Sequence, residues 1–179
     1  MECFLLPCWP SGVTQKRSFF DEYVKGDCIG QGSFGNVFKA TKRRSAKRYE
    51  NADDKVYAVK IIEIASLNKT LEAQVHNEIQ FLKDLKHPRV VKFYDDFVDD
   101  DYYYIVTEYL EGGDLYDRIY QKWEKDATSY NEKYVRDVCK VLLEAVDFLH
   151  ENNVAHLDLK PDNLLLEVRP LLSLSMKIQ

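Results

Sequence analysis

The 179-residue sequence has few glycines, prolines and cysteines, and each scarcity excludes a class of protein. Seven glycines and five prolines are too few for a long flexible linker, a collagen-like chain or a low-complexity chain. The four cysteines form no Cys-x-x-Cys pair and are too sparse for a disulfide scaffold. We therefore expect free thiols in a reducing compartment, the cytosol or the nucleus. No apolar run is long enough to span a membrane.

The charge balance excludes a second group of functions. The sequence has 25 Lys and Arg residues against 30 Asp and Glu residues, a net charge of −5. A protein that neutralises nucleic-acid phosphates or binds an anionic membrane surface needs an extended basic face. We therefore predict no nucleic-acid partner and no membrane partner, and any anionic ligand must be bound locally.

Hydrophobic periodicity predicts an α+β chain. Alternating, β-branched and aromatic segments predict five strands, at 23–29, 36–41, 56–62, 93–98 and 102–108. A helical stripe between the third and fourth strands contains Leu71, Val75, Ile79, Leu82 and Leu85. Helices are predicted at 114–125 and 132–151, the second opened by a capping box of Ser129 and Glu132.

The glycine pair Gly112-Gly113 separates the strand-rich part from the helical part and predicts a hinge. We expect an N-terminal tail at 1–22, a strand-rich lobe at 23–111, and a helical part at 112–179 that starts at the end of the hinge. Nine of the twelve residues at 138–149 are apolar, which predicts a helix buried on most sides.

The first motif that points to chemistry is glycine-rich. Residues 30–37 read Gly-Gln-Gly-Ser-Phe-Gly-Asn-Val, and no Gly-Lys-Ser/Thr follows as in a Walker loop. In a dinucleotide-binding fold the third glycine opens a helix, whereas residues 36–40 alternate like a strand. The pattern predicts a glycine-rich hairpin whose backbone can close over phosphates because no Cβ obstructs it. Alone it is a weak signal, since structural turns resemble it.

Two further motifs carry charged side chains. Lys60 lies in an apolar strand and needs an anionic partner, unless it reaches water from an edge strand. Glu78 falls on the buried stripe of the helix, so the simplest arrangement is that these two side chains face each other. Downstream, Asp158, Lys160 and Asn163 place a base, a cation and a carboxamide ligand on one loop. That set suits transfer of a phosphoryl group to a hydroxyl.

From about Tyr23 to its end, the chain resembles a eukaryotic protein kinase domain. The glycine loop, Val-Tyr-Ala-Val-Lys at 56–60, the helix glutamate, the hinge at 107–114 and His-x-Asp-x-Lys-Pro-x-Asn at 156–163 occur in the family's order. The resemblance implies a bilobal fold, with a five-stranded antiparallel N-lobe that holds one helix and the first part of a mainly helical C-lobe. It implies ATP and Mg²⁺ as cofactors and a protein with Ser or Thr hydroxyls as substrate.

The resemblance also assigns residue roles. It implies that the catalytic residues are Asp158 as proton acceptor, Lys160 at the γ-phosphate, and Lys60 held by Glu78 at the α- and β-phosphates, with Asn163 as a magnesium ligand. Adenine would lie among Val37, Ala58 and Leu165, with Thr107 as gatekeeper, backbone groups of Glu108 and Leu110 at its edge, and Asp114 near the ribose. The loop over the phosphates would consist of Ile29, Gly30, Gln31, Gly32, Ser33, Phe34, Gly35, Asn36 and Val37.

Lys160 is typical of the serine/threonine class, and the runs at 112–119 and 142–150 resemble the calcium/calmodulin-dependent group. The resemblance thus implies calmodulin-type regulation as one option, which these residues do not test. Leu157 stands where the family usually has an arginine that pairs with a phosphorylated activation loop. We therefore expect any activation to be independent of such a phosphate, and loss of activity on phosphatase treatment would contradict this.

Residues 176–179 resemble the strand that leads into the family's Asp-Phe-Gly motif, which holds the principal metal ligand. We therefore expect the 179-residue chain alone to transfer phosphate poorly. Two interpretations stay open. The sequence is a part of an active serine/threonine kinase, or it is a mature, catalytically weak, pseudokinase-like module that binds nucleotide or protein partners.

Overall fold

The computed structural model describes residues 17–32, 35–43, 55–167 and 176–178. In chain order its elements are α1 (Phe19–Glu22), β1 (Tyr23–Gly32), β2 (Gly35–Lys42), β3 (Val56–Glu63), α2 (Lys69–Asp84), β4 (Phe93–Val98), β5 (Tyr102–Glu108), α3 (Leu115–Asp126), α4 (Glu132–Glu151), β6 (Leu164–Leu166) and β7 (Met176–Ile178). Within these ranges no helix has the length and apolar character needed to cross a membrane.

The N-lobe is one antiparallel sheet in the order β1-β2-β3-β5-β4. Successive side chains of β3 point to opposite faces, so each face acquires its own core. The face under α2 buries Ile62, Val75, Ile79, Tyr103 and Ile105. The opposite face buries an aromatic cluster that includes Phe19, Tyr23, Tyr57, Phe97 and Tyr104. The predicted five strands and single packed helix are confirmed.

The N-terminal boundary of the lobe differs from the expected one. Phe19 is 1% exposed, and its ring stacks on those of Tyr23 and Tyr104 with centroid separations of 5.5 and 4.9 Å. Arg17 donates to the carboxylates of Glu22 and Asp95. Residues 17–22, assigned to a tail because they lack a periodic pattern, therefore pack on the outer face of the sheet.

The C-lobe begins with α3 and α4, and α4 packs on the two-stranded β6–β7 ribbon. The buried residues of α4 are Val141, Ala145 and Leu149, which form one stripe at helical spacing. Leu143 is 65% exposed, so among the described residues the apolar surface of α4 is only partly covered. One side of the helix meets the ribbon, and the few described residues after Leu149 leave the other side open.

The predicted capping box of α4 is also wrong. Asn131 is the N-cap residue, and its side-chain oxygen accepts a hydrogen bond of 2.8 Å from the backbone N–H of Tyr134. Ser129 lies two residues before the cap, outside the helix. Asparagine and serine are comparable N-caps, so residue type alone did not decide between them. Similarly, Asp114 is the N-cap of α3 rather than its first residue, and it accepts from the N–H of Asp117 at 2.7 Å.

Candidate functional site

The glycine-rich segment is a hairpin between β1 and β2, as predicted. Gly30 pairs with Val37 and Gly32 with Gly35, while Ser33 and Phe34 lie outside the described residues. A Cβ on Gly32 would lie 3.7 Å from Cε of Lys60, which places the hairpin backbone against that side chain. A Cβ on Gly35 would collide with the carbonyl oxygen of Ile61, so only glycine lets β2 approach β3 this closely.

Below the hairpin, the side chains of Lys60 and Glu78 form an ion pair. Lys60 Nζ lies 2.7 Å from Oε1 and 3.0 Å from Oε2 of Glu78. The lysine side chain is 14% exposed and that of the glutamate 30%. The predicted meeting of a strand lysine and a helix glutamate is confirmed. A cation fixed in this way beneath a glycine-rich hairpin can bind phosphate oxygens.

The hinge side of the cleft starts at the end of β5. Thr107 is buried and stands opposite Ala58 of β3 in the strand register. The backbone N–H of Glu108 donates to the carbonyl of Lys92 at 2.9 Å, which fixes the main chain where β5 leads into the hinge. Leu110 is buried just beyond.

The predicted glycine pair makes a tight junction with β6. Gly112 donates its N–H to the carbonyl of Leu166 at 2.9 Å, and the N–H of Leu166 donates to the carbonyl of Gly113 at 2.8 Å. Gly113 has a φ of 68°, and a Cβ on Gly112 would collide with the backbone of Leu166. The adjacent bridge between Asp114 and Leu165 brings the expected ribose and adenine residues side by side. Burial raises the pKa of the Asp114 carboxyl above its usual value.

Three predicted catalytic-loop residues meet at one carboxylate. Lys160 Nζ lies 2.9 Å from Oδ2 of Asp158, and Asn163 Nδ2 donates to the carbonyl oxygen and to Oδ2 of Asp158 at 2.7 and 3.1 Å. Hydrogen bonds from Lys160 and then from Asn163 lower the pKa of Asp158 below its usual value. Asp158 is therefore ionised at neutral pH and can accept a proton from a hydroxyl.

The same loop fits a magnesium ligand. Since Asn163 donates to Asp158 through Nδ2, its carboxamide oxygen is the atom suited to a hard cation. Leu157, at the position of the family's usual arginine, is 93% exposed and has a φ of 63°. It presents an apolar side chain to solvent where an arginine would present a cation.

Two functional-site features escaped the sequence reasoning. Lys177 donates to both carboxylate oxygens of Glu108 at 2.7 and 2.8 Å, although 69 positions separate the two residues. Glu108 Oε1 also accepts the N–H of Lys92 at 2.7 Å. Nothing local in the sequence indicates this pairing, and alternation around Lys177 was the only available signal that its side chain faces away from Met176 and Ile178.

Known protein kinases are similar to this chain over most of its length. The family model described as "Protein kinase domain" matches residues 23–178. Calcium/calmodulin-dependent protein kinase type 1 of Macrobrachium nipponense is 38% identical over 145 residues, which cover 81% of this chain and 38% of that protein. Serine/threonine-protein kinase ULK3 of Xenopus laevis is 34% identical over 146 residues, covering 82% of this chain and 29% of the relative.

Among solved structures, a crystal structure of Rad53 residues 1–466 in complex with AMP-PNP superposes with a TM-score of 0.70 at 32% sequence identity. That match covers 89% of this chain and 38% of the other. The chain thus spans well under half the length of the relatives it matches. From the motifs, the fold and the match over residues 23–178, the chain belongs to the protein kinase domain family.

Proposed function

We propose that this chain supplies the nucleotide-binding lobe and catalytic loop of an ATP-dependent protein serine/threonine kinase. The observation that carries the proposal is the Lys60–Glu78 ion pair beneath the glycine hairpin, 2.7 Å between Nζ and Oε1. A lysine without a partner on an apolar strand would destabilise the fold. A lysine oriented by a carboxylate instead presents a fixed cation to a polyphosphate.

In this proposal each side of the cleft recognises one part of ATP. Val37, Ala58 and Leu165 enclose the adenine, with Thr107 behind it. The main-chain carbonyl of Glu108 and the backbone of Leu110 bind the base edge. The hairpin covers the phosphates, and the Asp114 carboxylate approaches the ribose.

The catalytic loop then directs the transfer. The substrate hydroxyl donates its proton to the carboxylate of Asp158, while its oxygen bonds to the γ-phosphorus and the bond from that phosphorus to the β–γ bridging oxygen breaks. Lys160 lies 2.9 Å from the same carboxylate and neutralises charge on the transferred group. The carboxamide oxygen of Asn163 would hold a magnesium ion, which would supply charge neutralisation on the phosphates.

The finer assignments belong to the same proposal. Lys160 favours Ser and Thr over Tyr as acceptors. The relatives named for calcium and calmodulin support calmodulin-type regulation of the whole protein. The free thiols of Cys28 and Cys139, in the part of the chain that the structure describes, support a cytosolic or nuclear location.

Phosphotransfer from γ-labelled ATP to pooled peptides tests the proposal. With Mg²⁺ present, we expect the 179-residue chain to label peptides slowly but selectively: Ser- and Thr-containing peptides are labelled and Tyr-only peptides are not. Asp158→Asn should reduce the rate at least about 100-fold, whereas Asp137→Asn, on the exposed side of α4, should not. A native protein that binds ATP in a thermal-shift titration without Mg²⁺ dependence and labels no peptide would contradict the kinase assignment and favour a nucleotide-binding module.

A further inference from the structure

A small ionic cluster lies behind the hinge, and the proposed function uses none of its side chains. Lys177 Nζ lies 2.7 Å from Oε1 of Glu108 and 3.5 Å from Oε1 of Glu167. The three side chains are only 14%, 15% and 17% exposed, in the order Lys177, Glu108, Glu167. Such shielded charges interact more strongly than surface pairs, and removal of one partner leaves the other charge poorly solvated.

The cation of the cluster is held on a fixed strand. Lys177 is the central residue of β7, opposite Leu165 of β6. Its neighbour Ile178 donates its N–H to the carbonyl of Arg89 at 2.8 Å and accepts from the N–H of Val91 at 3.0 Å. The strand that carries Lys177 is therefore hydrogen-bonded on both sides, to β6 and to residues 89–91, and this fixes the position of the lysine main chain.

One of the two anions of the cluster, Glu108, is the last residue of β5. Glu108 is bound through its main chain by Lys92, whose carbonyl accepts the Glu108 N–H at 2.9 Å. It is bound through its side chain by the Lys92 N–H at 2.7 Å and by Lys177. These contacts leave Glu108 one position at the start of the hinge. Without Lys177, the Glu108 carboxylate keeps one backbone donor, and the end of β5 loses its side-chain tie to β7.

We propose that Lys177 is a positioning residue for base recognition: through its ion pair it holds Glu108 so that the main-chain carbonyl of Glu108 stays in place for the adenine edge. This inference rests on the proposed function, because it presumes that the cleft binds ATP. In this proposal Lys177 makes no contact with phosphate, so its loss should affect binding of the base and not binding of the phosphates. A general structural role would affect both.

The dissociation constants of two probes, measured on the 179-residue chain, test the inference. ATP carries the base and the phosphates, whereas inorganic tripolyphosphate carries the phosphates alone. In Lys177→Met we expect the dissociation constant of ATP to rise about tenfold and that of tripolyphosphate to stay within about twofold. Lys177→Arg, which keeps the cation, should restore most of the ATP affinity.

Two other variants complete the design. Glu108→Gln retains the shape and the acceptor for the Lys92 N–H, and it should show the same selective loss of ATP affinity; it decides the matter if Lys177→Met does not fold. The control Arg136→Met breaks the exposed pair with Glu132 on α4, 2.7 Å between charged atoms, and should change neither probe.

Unchanged ATP affinity in both cluster variants would overturn the inference and leave the proposed function intact. Equal losses for ATP and tripolyphosphate would also overturn it, since they indicate a merely structural role. If the native chain binds neither probe, the proposed function fails and this inference falls with it.

Discussion

Lys60 Nζ donates to both carboxylate oxygens of Glu78, at 2.7 and 3.0 Å, and so ties strand β3 to helix α2 across 18 positions of sequence. The contact depends on the core beneath it, because Val75 and Ile79 bury one stripe of α2 against the sheet. The orientation of the cation is therefore a product of packing, and changes in α2 should act on nucleotide binding through Lys60.

The first prediction concerns the coupling between these two residues. Glu78→Gln should weaken ATP binding about tenfold, because Lys60 loses the partner that orients it. In the Lys60→Met background the same change should have almost no further effect, since Glu78 acts only through the lysine. A double-mutant cycle on ATP dissociation constants measures this. Additive losses would show that Glu78 contributes independently.

The second prediction concerns the pH titration of Asp158. Its folded-state pKa is below the ordinary 3.8, chiefly because of the hydrogen bond from Lys160. A lowered carboxyl pKa contributes stability above the unfolded-state pKa, and that contribution is lost as the pH falls through the folded-state pKa. Lys160→Met should move the Asp158 midpoint upward in a carboxyl ¹³C NMR titration. Lys133→Met on α4 is the control and should leave it in place.

The third prediction concerns the junction of hinge and β6. Gly112→Ala places a Cβ against the Leu166 backbone and should lower the free energy of unfolding by at least about 2 kcal/mol, measured by urea denaturation. Gly30→Ala is the matched control, since a Cβ there meets nothing within 4 Å, and it should cost less than about 1 kcal/mol. Equal costs would show that Gly112 is not the close contact.

The fourth prediction separates the observed helix cap from the one expected from sequence. Asn131→Ala removes the 2.8 Å cap bond to the Tyr134 N–H and should destabilise the chain by about 1 kcal/mol. Ser129→Ala should be close to neutral, because that residue precedes the cap. Thermal and chemical unfolding of the two variants distinguish them, and a larger effect at Ser129 would restore the capping box.

The parts of the fold that the sequence predicts are those with local periodic signals. Alternation along 56–62 and the 3.6-residue stripe of α2 fix which faces of β3 and α2 are buried. Because Lys60 and Glu78 both fall on those inward faces, their ion pair follows from periodicity and the cost of burying a lone charge. The hairpin follows similarly from the alternation after Gly35.

The features that sequence reasoning missed depend on contacts between distant segments. Lys177 and Glu108 are 69 positions apart, and Arg17 and Asp95 are 78 apart, so no local spacing links either pair. The docking of Phe19 has the same cause: one aromatic residue carries no period, yet the pocket formed by Tyr23 and Tyr104 buries it. For α4, composition indicated burial, but the neighbours present decide which side is covered.

Calorimetric titration of ATP into three forms of the chain shows whether this cleft binds ATP through Lys60. The native chain should bind, Lys60→Met should lose at least about tenfold in affinity, and Lys83→Met should match the native chain. Lys83 is the matched control because it lies on α2 and pairs with Asp96 at 2.8 Å, away from the hairpin. Equal ATP affinity in Lys60→Met and the native chain, or no binding by the native chain, would show that Lys60 does not hold ATP in this cleft.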